Sequence, residues 1–218
     1  MATGQSYSTG CNQLLAAAEA TTGGVWERAM VNIGSGMQAM IEDKRKCGRI
    51  IWDNKELMAR LWARIEGEVP EIHRLYRQAY ITGNGPAKRG ETWMVTRLNE
   101  RGRFLKYVGG EYFKAHRDGC YETPDYKERS YFTLHLYLND PEGKDGQEPL
   151  KGGSTTFFSW NMDKRIDVAP KCGRVLMFQH RDMLHSGDDV QGGVKLTMRT
   201  DLLFTKEEKT ETEAQAGA

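Results

Sequence analysis

Two triplets with the same letters, His116–Arg117–Asp118 and His180–Arg181–Asp182, are the groups in this chain best placed to do chemistry. A histidine and an aspartate two residues apart fall on one face of a β-strand, because strand side chains alternate with period two. Their imidazole and carboxylate can then take adjacent positions on one metal ion. A second histidine from another strand would complete a facial set and leave three positions open. His185 can serve the first triplet from across several strand-like runs, whereas it follows the second within the same turn. The spacing therefore selects His116, Asp118 and His185. The His-Arg-Asp of a protein kinase catalytic loop is excluded, since the Asn that should follow is missing, as are the Gly-rich loop with its paired Lys and the Asp-Phe-Gly. His135 is expected to line the site.

Beyond His185 the run SGDDVQGGVKLTMRTDLLF places Lys195, Thr197 and Arg199 on one strand face. A cation beside a hydroxyl on such a face suits a carboxylate on a bound acid.

The elements that must position these groups begin near Glu91. WMVTRL, RFLKYV, SYFTLHLYL, STTFF and VLMFQH are short β-rich runs separated by Asn, Gly and Pro clusters, the texture of a sandwich or barrel. SYFTLHLYLND alternates, with Tyr131, Thr133, His135, Tyr137 and Asn139 on one face and Phe132, Leu134, Leu136 and Leu138 on the other. Residues 1–90 read as mostly helical support. The first ten form a loose lead-in, and a helix runs from Cys11 to the Gly23–Gly24 pair. A second helix is expected over NKELMARLWARIEGEV, capped by Asp53 with Glu56 in a capping box and extendable through Glu71–Tyr80. EDKRKCGR, Glu42–Arg49, reads as a polar loop whose Arg45 or Arg49 could clamp an anion. Residues 82–90 form a Gly/Pro loop, 91–205 the β core and 206–218 a disordered tail.

The chain has 218 residues, 39% hydrophobic and 28% charged, enough for one buried domain. A net charge of +1 gives no electrostatic footprint for nucleic acid or an anionic membrane. No apolar run approaches the roughly 20 residues that span a bilayer. Without a secretory start, and with four scattered cysteines, the expected location is cytoplasmic or nuclear, with reduced thiols and no zinc site.

From Glu91 to Phe204 the chain resembles the Fe(II)/2-oxoglutarate-dependent dioxygenases, in the prolyl 4-hydroxylase-like branch. The resemblance rests on RFLKY…GGEYFKAHRDG, YFTLHLYLN, GGSTTFF and GRVLMFQH…LHSG leading to Lys195. It implies an α+β, mainly β fold, a double-stranded β-helix or jelly roll with helices at its N-terminal side. It also implies Fe(II) on His116, Asp118 and His185, with O2 as co-substrate and ascorbate as a candidate reductant. In the same likeness 2-oxoglutarate is held by Lys195, with Tyr137 as the hydroxyl partner, Tyr107 lining its pocket and Thr197 behind it; Arg199 is the rival for its carboxylate. An aspartate at position 118 argues for hydroxylation over halogenation. The implied substrate is an amino acid, a peptidyl proline or a small natural product, oxidised with release of succinate and CO2. A non-catalytic module on the same fold, binding a peptide or small molecule, is the alternative.

Overall fold

Two long antiparallel strands, Glu128–Tyr137 and Lys195–Lys206, lie side by side at the centre of the larger sheet, and the site is hung from them. The computed structural model describes residues 4–34, 37–143 and 146–208. Its N-terminal part holds α1 (Gly4–Ala20), β1 (Glu27–Arg28), the paired β2 (Val31–Gly34) and β3 (Met37–Ala39), β4 (Arg45–Lys46) and β5 (Gly48–Asp53). These are followed by α2 (Lys55–Trp62), β6 (Arg74–Tyr76), α3 (Ala79–Thr82) and α4 (Asn84–Lys88). Then come β7 (Thr92–Leu98), β8 (Arg101–Tyr107), β9 (Tyr112–His116), β10 (Glu128–Tyr137), β11 (Lys151–Gly152) and β12 (Thr155–Phe158). The chain continues with β13 (Arg165–Val168), β14 (Val175–Gln179), β15 (His185–Gly187), β16 (Val190–Gly192) and β17 (Lys195–Lys206).

The larger sheet runs β1-β5-β8-β17-β10-β14, with β7 also on β17 and β6 on β7. The smaller runs β13-β12-β15-β9-β4. Together they form the jelly roll expected of this chain, with every pairing antiparallel. β10 shows why the strands assemble so. Leu134, Leu136 and Leu138 point outward into a core shared with Cys11, Ala18, Met198 and Leu202, under α1 and α2. Thr133, His135 and Tyr137 take the other face and point toward the site. A bulge at Tyr131 breaks the strict alternation, so that Tyr131 and Phe132 both join the outer core. Past the strand end, Asn139 accepts from Leu196 N (2.7 Å) and donates to Val194 O (2.8 Å), fixing the start of β17.

The N-terminal part departs from the sequence expectations in several places. α1 starts at Gly4, inside the stretch expected to be a loose lead-in. Glu42–Arg49 is not a loop alone: β4 and β5 lie within Arg45–Asp53 and pair with β9 and β8. α2 is capped by Asn54, whose side chain accepts from Leu57 N (2.9 Å), because Asp53 is drawn into a bidentate pair with Arg101. The helix stops at Trp62. Single 3-10 turns at Glu66–Glu68 and Pro70–Ile72 follow, and Arg74–Tyr76 is a strand, since Gly67 weakens an α-helix there and Pro70 lacks the N–H to continue one. The Gly/Pro stretch from 82 folds into α3 and α4, parted by Gly83 at φ +92°. The expected tail lies outside the described residues from 209 onward. No helix among the described residues is long and apolar enough to cross a membrane.

Candidate active site

His116 ends β9 and His185 begins β15, and the two residues are direct partners across the antiparallel pair. Their rings stand 4.3 Å apart. The strand stops at His116, so Asp118 reaches the same point from the following loop and not from the shared strand face expected of the triplet. One ligand atom from each of the three lies within 4.8 Å of the others, close enough for one metal ion. Neighbouring backbone sets which ring nitrogen is offered. His116 Nδ1 sits 2.8 Å from Lys114 O, and His185 Nδ1 3.0 Å from Met183 O. Protonated at Nδ1, each ring donates to a carbonyl and turns the Nε2 lone pair toward the centre. Nε2 of His116 is 3.6 Å from Asp118 Oδ1, and Nε2 of His185 is 3.8 Å from Oδ2.

The Asp118 side chain is 2% exposed. Thr133 Oγ1 donates to its Oδ2 (2.6 Å), and Arg199 Nη1 stands 2.9 Å from its Oδ1. Burial opposes ionisation, but Arg199 and the two imidazoles outweigh it and hold the carboxyl well below its ordinary range. Burial pushes His185 down to about 4, so its ring is neutral and free to ligate. A buried carboxylate and two imidazoles with Nε2 turned toward the centre fit Fe(II).

The second His-Arg-Asp triplet cannot make such a site. Asp182 sits at φ +60° in a turn with its side chain 74% exposed, while His180 is buried beside Asp201, Nε2 to Oδ1 3.7 Å. Asp201 in turn faces Arg103 (3.1 Å) and Arg199 (3.6 Å). His180 thus belongs to a buried polar chain that ends on Asp118.

One cavity joins the histidines to the first residues of β17. Its walls include Tyr107, Phe113, His135, Thr155, Phe178 and Lys195, together with Arg45 and Arg199. Lys195 is the direct partner of Tyr107 across β8 and β17, and its ammonium lies 5.3 Å from the Tyr107 ring and 5.9 Å from that of Tyr137. It is 1% exposed, and no carboxylate among the described residues is within ion-pair distance of it. Burial brings its pKa down to about 8, against the pull of Asp188 and Cys47. Gly153, at φ +72°, passes so near that a Cβ there would lie 3.3 Å from Lys195 Cδ. The glycine pair of GGSTTFF is what lets the chain cover this lysine.

The remaining expected residues sit at different depths. Tyr137 stands one layer behind the wall, its hydroxyl donating to Thr155 Oγ1 (2.7 Å). Thr197 is fully buried opposite Tyr137 on β10, with no hydrogen-bond partner for Oγ1. His135 lines the cavity. Burial, then Lys195 and Arg199, holds it well below its ordinary pKa, as a neutral ring. Arg49 pairs with Glu27 and Gln38, off the cavity wall. Sequence reasoning gave no role to Thr133, Thr155 or Phe113. Thr133 lay on the alternating face that also carries His135 and Tyr137, which was the available signal.

A family model described as the 2OG-Fe(II) oxygenase superfamily matches residues 102–200, a span that includes both histidines, Asp118 and Lys195. No curated protein matches the chain in sequence. Among solved structures, a prolyl-4-hydroxylase of Pseudomonas putida is similar at TM-score 0.55 and 15% identity, over 89% of this chain and 86% of that one. The viral collagen prolyl hydroxylase of Paramecium Bursaria Chlorella virus-1, solved as a 2OG complex, gives 0.52 and 17% over 91% of each chain. A Trichoplax adhaerens prolyl hydroxylase, in complex with a hypoxia inducible factor oxygen degradation domain peptide fragment, gives 0.59 and 16% over 98% and 82%. The chain carries a 2OG-Fe(II) oxygenase match over residues 102–200 and shares the fold of these prolyl hydroxylases. It is an Fe(II)- and 2-oxoglutarate-dependent dioxygenase, using O2.

Proposed function

We propose that the enzyme hydroxylates a C–H bond of a peptidyl proline, an amino acid or a small natural product, releasing succinate and CO2. In this reading His116, Asp118 and His185 hold Fe(II), and Lys195 holds the distal carboxylate of 2-oxoglutarate. The observation that carries it is a single cavity with a three-ligand metal set at one side and a buried lysine without a carboxylate partner at the other. Bound Fe(II) supplies the oxidative decarboxylation of the 2-oxo acid by O2 and the oxidation of the C–H bond. The chain's own residues do the rest. Lys114 O and Met183 O orient the two rings, while Thr133 and Arg199 orient the carboxylate. Phe113, Phe157 and Phe178 pack against the histidines and keep water from their faces. Tyr107 walls the co-substrate side, and Tyr137 sets the Thr155 hydroxyl there. Thr197 lies two residues along the same strand as Lys195, its side chain buried.

Peptidyl proline leads the substrate classes because the similar structures are prolyl hydroxylases, one of them holding a peptide. The test is succinate release over a panel of proline peptides and free amino acids with Fe(II) and 2-oxoglutarate. A substrate should stimulate release, and Asp118→Ala should abolish it. Succinate formation untouched by His116→Ala or His185→Ala would sink the reading.

A further inference from the structure

Arg45 is the one charged residue on the cavity wall that the reading above leaves unused. It lies on β4, the edge strand paired with β9, directly opposite Phe113. Its guanidinium sits 4.5 Å above the Phe113 ring, which is itself stacked at 3.5 Å on His116. Arg45 is only 8% exposed, yet no carboxylate among the described residues is within ion-pair distance of it. Its polar neighbours carry no full negative charge: Cys47 Sγ at 3.3 Å from Nε, Met30 O at 3.5 Å from Nη1, and the Tyr107 hydroxyl. Arg49 shows the contrast, since it pairs with Glu27 at 2.8 Å.

A buried cation without an anion is costly, and this cavity has two, Arg45 and Lys195. Both border the same inner corner. Tyr107 and Cys47 act on Arg45, Tyr107 underlies the Lys195 ammonium, and Cys47 acts on Lys195 as well. Arg199 differs, because Asp118 and Asp201 already balance it. An anion entering that corner would meet a point charge from Lys195 and a planar two-donor fork from Arg45.

We propose that Arg45 is a second cationic anchor for the distal carboxylate of the 2-oxo acid, so that the site selects dicarboxylic co-substrates through two cations. The inference rests on Lys195 being the first anchor.

The test is calorimetric titration of the Mn(II)-loaded protein with 2-oxoglutarate and with 2-oxohexanoate, in which an alkyl end replaces the distal carboxylate. Arg45→Gln is expected to weaken 2-oxoglutarate by about 10- to 100-fold and leave 2-oxohexanoate unchanged. Arg45→Lys keeps the charge but loses the fork, and should weaken 2-oxoglutarate alone by about 3- to 10-fold. If Arg45→Gln does not fold, Arg45→Lys carries the same comparison. Equal losses for both acids would show that Arg45 only props Phe113 and would overturn the proposal, as would unchanged 2-oxoglutarate affinity in the variants. A wild-type protein that binds neither acid would overturn the co-substrate reading itself.

Discussion

Arg199 Nη1 lies 2.9 Å from Asp118 Oδ1, tying the cation of the Lys-x-Thr-x-Arg strand to the carboxylate of the first His-Arg-Asp triplet. This pairing separates the two basic residues on that strand face: Arg199 is engaged inside the metal set, and Lys195 faces the cavity beyond it. Removing one partner of a buried pair strands the other charge. Arg199→Met should therefore lower the stability of the metal-free protein by roughly 2–4 kcal/mol. A divalent metal supplies the missing positive charge, so excess Mn(II) should restore part of that loss. Urea unfolding with and without Mn(II) measures both effects. A loss that Mn(II) does not reduce would mean that Arg199 acts on packing alone.

The buried ammonium of Lys195 makes co-substrate binding pH-dependent. Its pKa in the folded protein, about 8, lies below the 10.5 of an exposed lysine, chiefly through burial. Between those values the unfolded chain carries a proton that the folded chain lacks, so stability of the ligand-free protein rises with pH in that window. Affinity runs the other way, because the carboxylate needs the charged form. 2-Oxoglutarate should bind about tenfold more weakly per pH unit above pH ~8. Lys195→Arg keeps its charge and should flatten the profile, which separates this effect from metal hydrolysis. A wild-type profile as flat as that of Lys195→Arg would refute the assignment.

Gly152 sits at φ +74° where β11 meets β16, and a Cβ there would fall 2.2 Å from Asp189 O. Gly152→Ala adds that clash to the cost of a left-handed alanine. We expect a loss of about 2–4 kcal/mol, read as a lower denaturation midpoint at unchanged slope. A change under about 0.5 kcal/mol would show that the segment shifts freely.

What could be read from the sequence follows the reach of each interaction. His116, Asp118 and His185 were legible because antiparallel pairing turns chain separation into a fixed meeting point, and only the first triplet had a partner beyond its own turn. The two faces of β10 were legible from alternation up to the bulge at Tyr131, which is decided by Trp93 and Phe204 across the sheet. Asp53 and Asn54 are equally good helix caps by type. The choice between them was made by Arg101, far along the chain. Arg45 read as loop because a strand of two residues has no periodicity, and its place on the cavity wall exists only through its pairing with Phe113.

A metal on the histidine–aspartate set and a diacid on Lys195 should bind together in one site. Titration of 2-oxoglutarate into the protein with and without Mn(II), in wild type and His185→Ala, reads that coupling. A single site is expected, with 2-oxoglutarate affinity rising at least about tenfold with Mn(II) in wild type, a coupling lost in His185→Ala. Equal affinity with and without metal in the wild type, or full coupling in His185→Ala, would contradict it.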